Sequence, residues 1–92
     1  MPGKKSIYTP MINAEIKTNL LMTLDEATAA DIPTTDWLQR NNIILSNFTP
    51  QKLSRSLNEL VDMGLVQKGK TRSGRMAYRL TSKMIQEGYT IS

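Results

Sequence analysis

The stretch Thr49–Met84, TPQKLSRSLNELVDMGLVQKGKTRSGRMAYRLTSKM, decides the fold. Thr49 is an N-cap residue, able to accept a hydrogen bond from the first turn of a helix. Pro50 follows at the first helical position, where its missing N–H costs nothing. Leu53, Leu57, Leu60 and Val61 recur at helical spacing and make one apolar face. Gly64 stands where a left-handed C-cap belongs. Leu65–Lys68 then reads as a strand, and Gly69–Gly74 (GKTRSG) as a turn-rich connection. From Arg75 to Leu80 the chain alternates, with Met76, Tyr78 and Leu80 on one face and Arg75, Ala77 and Arg79 on the other, the period of a half-buried antiparallel strand. The spacing predicts a helix over about 49–63, a hairpin over 65–80 and a short closing helix over Ser82–Glu87 that stops at Gly88.

Working outward towards the N-terminus, Ile43-Ile44-Leu45 fits either a helical continuation or an extended run. A short helix is expected through Asp36–Arg40, capped by Thr34 or Thr35, anchored by Trp37 and Leu38, and ending near Asn41-Asn42. Pro33 biases Ile32 towards an extended conformation, and a small extra strand could form there. Before it, Ile12, Ile16, Leu20, Leu24 and Ala27, with Leu21 alongside, form one stripe. That helix is expected to start at Asn13 and to fade near Ala29 or Ala30. Pro2, Gly3 and Pro10 read as a flexible tail over residues 1–10, ahead of one domain over 11–92. The expected order is helix, helix, helix, strand, strand, short helix, a mainly α arrangement with a small β-hairpin (α+β).

Composition narrows the chemistry. The 92 residues contain no cysteine and no histidine. Zinc sites of the usual kind and the Ser-His-Asp and Cys-His arrangements are thereby excluded. No carboxylate pair or lysine is placed suggestively, so the sequence predicts no enzyme, no catalytic residue, no metal and no cofactor. No apolar run approaches the roughly 20 residues that span a bilayer, and no signal peptide is apparent. A cytoplasmic protein with no membrane partner is expected.

The charge is +4 overall, but it is uneven. Residues 1–39 carry three basic and five acidic side chains, whereas residues 40–83 carry nine basic and two acidic ones. A basic half of this kind implies an anionic partner. On the helix over 49–63, Gln51, Arg55, Asn58, Glu59 and Asp62 project opposite the leucines, with Lys52 and Ser54 flanking. Gln51, Lys52, Ser54 and Arg55 lie at the N-terminal end, the end that leads into a major groove, where Gln and Arg can pair with adenine and guanine. Lys68, Lys70, Arg72, Arg75 and Arg79 fall in an acid-free hairpin suited to phosphate and minor-groove contact. A solvated helix face and a solubilising basic loop would look similar. The aromatic residues Trp37, Phe48 and Tyr78 read as core, which argues against a stacking platform for single strands.

Two segments resemble the winged-helix DNA-binding superfamily. Leu53–Val66 (LSRSLNELVDMGLV) is similar to the recognition helix and first wing strand of MarR-like bacterial and phage regulators. Arg79–Lys83 (RLTSK) is similar to the exit from the second wing strand. The resemblance implies a three-helix core with a two-stranded wing and a short C-terminal helix. It also implies a transcriptional regulator of double-stranded DNA; because one such module buries only roughly 600–1,000 Å² on DNA, a homodimer or a protein partner is expected for tight binding. The alternatives are a winged-helix module for protein–protein contact and an accessory nucleic-acid-processing factor without sequence readout.

Overall fold

A computed structural model describes residues 2–81, with side chains from Ala14 onward. It has three α-helices and one antiparallel hairpin: α1 (Pro2–Asp25), α2 (Thr35–Asn41), α3 (Pro50–Asp62), β1 (Val66–Lys70) and β2 (Met76–Leu80). The closing helix expected over Ser82–Glu87 lies outside the described residues.

The helix α3 forms as its caps dictate. The Thr49 hydroxyl accepts from the Lys52 N–H at 3.2 Å, and Pro50 occupies the first turn. At the other end Gly64 takes φ +80°, a conformation that costs L-residues roughly 1–2 kcal/mol and glycine little. It lets Leu65 N–H reach the Leu60 carbonyl at 3.0 Å and Gly64 N–H reach Val61 at 2.9 Å. This paired closure satisfies carbonyls that the helix end would otherwise leave bare, and it buries Leu60 with Leu65.

The hairpin pairs Val66 with Leu80 and Lys70 with Met76, a register that leaves Gly69 opposite Ala77. Tyr78 is buried and Met76 and Leu80 are half-buried against the core, on the face their alternation predicts, while Ala77 on the other face is half-buried too. Gly69 belongs to the strand and not to the turn. The turn is Thr71–Arg75, closed by Thr71 N–H on the Arg75 carbonyl at 2.8 Å, with Gly74 at φ +84°. The Thr71 hydroxyl, bonded by Arg75 N–H and paired with Ser73, does the work expected of a longer glycine loop.

Upstream the structure departs from expectation at both ends of α1. The helix begins at Pro2, so Asn13 is internal to it and not its cap, and residues 2–10 have helical backbone. Pro2 falls in the first turn, where its missing N–H costs nothing, although Pro10 removes one backbone bond inside the helix. The helix ends at Asp25 and not near Ala29. There the chain finds a rival to helical bonding: the Asp31 carboxylate accepts from Thr28 N–H at 2.7 Å and from the Thr28 hydroxyl at 2.9 Å. Thr34 is the cap of α2, accepting from Trp37 N–H. Pro33 supplies one carbonyl to Tyr78 N–H at 3.1 Å, a single bond beside β2 where a small strand was expected.

Ile43-Ile44-Leu45 resolves as a turn leading into one turn of 3-10 helix over Leu45–Asn47. Its anchor is Asn42. The Asn42 amide nitrogen donates to Asn19 Oδ1 (3.1 Å) and Thr23 Oγ1 (2.9 Å), and its oxygen accepts from Ile44 and Leu45 N–H. Leu45 is buried in consequence, while Ile43 stays exposed. The core gathers Ile16, Leu20, Leu21 and Leu24 of α1 with Leu38, Leu45, Leu53, Leu57, Leu60, Val66 and Tyr78. Trp37 and Phe48 pack against its rim.

Candidate nucleic-acid interface

The burial of Leu53, Leu57 and Leu60 turns the opposite stripe of α3 outward. An open groove of about 680 Å³ runs along that stripe, lined by Gln51, Ser54, Arg55, Asn58, Glu59 and Asp62. Two side chains from other elements border it. Lys68 of β1 donates from Nζ to Asn58 Oδ1 at 3.2 Å. Lys17 of α1 pairs with Glu59 at 2.8 Å. Residues 51, 55, 58 and 62 therefore form a strip with a hairpin lysine on one flank and an α1 lysine on the other.

The register explains why Lys68 can reach α3. Lys68 pairs with Tyr78 and shares its face, the side of the sheet turned towards the helices. Lys70 pairs with Met76 and has the same parity. Arg79 pairs with Gln67 and stands on the other face. Its guanidinium donates to the Asp31 carbonyl at 2.8 Å, which ties β2 to the loop before α2. Arg72 and Arg75 belong to the exposed turn. Lys52 lies at the edge of the α3 strip, its ammonium 6.0 Å from the Phe48 ring centre.

The structure thus brings Gln51, Ser54, Arg55 and Lys68 to one surface, leaves Lys52 beside it, carries Lys70, Arg72 and Arg75 along the hairpin, and places Arg79 behind. Asn58 completes the surface. It is spaced three residues from Arg55 and seven from Gln51, which puts it on the same helical strip. Its link to Lys68 depends on how the hairpin leaves Gly64, and helical periodicity cannot supply that angle.

One further group steadies the approach to the strip. Gln39 Nε2 donates to the Phe48 carbonyl at 2.8 Å, tying α2 to the residue before the α3 cap. On the far side, the Asp31 carboxyl is held below the ordinary aspartate range, chiefly by the Thr28 N–H, then by the Thr28 hydroxyl, with the Trp37 indole and Arg79 adding to it.

Among the described residues no cluster of acidic side chains could hold a metal ion. No helix there is long and apolar enough to cross a membrane. Comparison of the chain with family models, curated proteins and solved structures finds no match.

Proposed function

We propose that the chain is a cytoplasmic winged-helix protein that binds duplex DNA, with α3 as the recognition helix and the hairpin as the wing. The observation that carries this reading is the Lys68–Asn58 contact at 3.2 Å, which sets a hairpin cation against the outer strip of α3. A helix strip bordered by a cationic hairpin suits a groove edged by phosphates. Gln51, Ser54, Arg55 and Asn58 offer base-reading groups, and Lys68, Lys70 and Arg72 offer phosphate contacts. The positive end of α3 carries the polar leading turn, and its carboxylates, Glu59 and Asp62, lie towards the other end. One such module buries roughly 600–1,000 Å² on DNA, so tight specific binding calls for a second copy or a partner. Control of transcription is the role that such binding serves.

Selection from random duplexes at two salt concentrations tests the reading. A recovered consensus is expected, with affinity falling steeply as salt rises. Arg55→Ala should cost about 1–3 kcal/mol at one base position and relax preference there, whereas Lys68→Ala should weaken all duplexes alike and lower the salt slope by about one. Binding that ignores both substitutions, or no binding to any duplex, overturns the proposal.

A further inference from the structure

The hairpin has a second face that the strip on α3 does not use. Gly69 and Ala77 are paired across the strands there, between Gln67–Arg79 on one side and the turn on the other. Glycine in the middle of a strand weakens it and leaves no side chain to pack. Nothing local requires one at this position. Gly69 does not take a positive φ, and a Cβ built on it meets no atom within 4 Å. The pair instead makes a low floor, the kind of place where another chain approaches closely.

Walls rise around that floor. A cleft of about 470 Å³ runs between Ile32-Pro33 and Thr71–Ser73, over Ala77 and Arg79. A second, of about 310 Å³, extends over Gln67–Lys70 and shares Ala77 and Arg79 with the first. Together they form one trough along the outer face. Ile32, 57% exposed, gives it an apolar wall that the core does not use. Arg79, on the outer face, and Arg72, in the turn, supply its charge. The acid in its lining, Asp31, has its carboxylate turned onto Thr28.

We propose that this trough is a docking surface for an acidic, extended peptide segment of a partner protein. An extended strand presents alternate side chains to the floor and to the rim. Apolar side chains would meet Ile32, Pro33 and Ala77, and carboxylates would meet the arginines, whose forked donors match them. A duplex fits less well. The wall is apolar, and the Gly69–Ala77 floor lies on the face of the hairpin away from Tyr78, whereas α3 adjoins the other. The inference goes beyond the DNA-binding reading and does not need it.

The test is selection from a random-peptide library on the full chain, followed by binding of the recovered peptides and of labelled duplex to Gly69→Val and Ala77→Gln. Enriched peptides should carry net negative charge and an apolar residue. Both substitutions should weaken them by about tenfold or more, while duplex binding changes by less than about twofold. Because the Gly69 Cβ faces open space, Gly69→Val should melt cooperatively at or above the parent temperature; should it fail to fold, Ala77→Gln alone decides. No enrichment, or peptides indifferent to the substitutions, overturns the proposal. So does loss of duplex binding without any peptide bound, which would assign the trough to nucleic acid. Arg55→Ala, which should leave peptide binding intact, separates failure here from failure of the DNA reading.

Discussion

The chain enters α3 and leaves it by different devices. The exit is local: Gly64 turns left-handed, and two backbone bonds close the helix onto its own last turn. The approach is held from a distance. Asn42 reaches back to Asn19 and Thr23, and Gln39 holds the Phe48 carbonyl. The exit angle aims the hairpin, and so Lys68, while the approach sets how α3 sits against α1. Both ends of the helix are capped locally, by Thr49 and by Gly64, but the segment that leads into it is held by tertiary contacts that need the rest of the domain in place.

Breaking the approach should have the larger effect. Asn42→Ala removes four hydrogen bonds and leaves partly buried partners unpaired. A loss of about 2–3 kcal/mol is expected in urea unfolding. Asn42→Asp sharpens the contrast, because it keeps the acceptor for Ile44 and Leu45 N–H but not the donor to Asn19 and Thr23. A cost about half that of Asn42→Ala would assign comparable weight to the local and distant bonds. Next comes the exit: Gly64→Ala forces a Cβ into φ +80° and should cost about 1–2 kcal/mol. It should also disturb the Lys68–Asn58 contact, visible as a shift of the Asn58 side-chain amide resonances. Thr49→Ala, which removes the N-cap bond, should cost about 1 kcal/mol in the same unfolding experiment.

The smallest effect is one of pH. Asp31 has its folded pKa lowered, so its contribution to stability is present above its unfolded value and is lost as pH falls through and below the ordinary aspartate range. Asp31→Asn should flatten that acid limb of the stability profile and leave the neutral slope unchanged. An acid limb of the same steepness in both proteins would remove Asp31 from the account.

The same contrast explains how much was legible from residues alone. Thr49, Pro50, the leucine stripe, Gly64 and the alternation of Met76, Tyr78 and Leu80 each act over a few positions, and α3 and the hairpin follow them. The C-terminal end of α1 did not, since Asp31 competes for backbone groups from beyond the helix. Ile43–Leu45 was open because apolar runs that short fit either state until Asn42 finds its partners on α1. Gly69 read as turn because glycine usually marks one, whereas the turn here is made by a threonine hydroxyl and Gly74. Of the candidate site, the α3 strip was legible from helical periodicity. The division of hairpin cations between two faces was not, because it depends on strand register: one residue of slip would exchange Lys68 with its neighbours.

Lys17 gives the strip a control that lies outside it. Its side chain is mostly covered, 17% exposed, and its ammonium meets Glu59. Of the two carboxylates along α3, one is thereby neutralised from the neighbouring helix, leaving Asp62 as its sole unmatched anion. Replacing Lys17 with methionine would leave the Glu59 carboxylate unpaired beside the strip without altering any residue of α3 itself. The sign of the field that α3 presents is thus decided partly by the helix behind it.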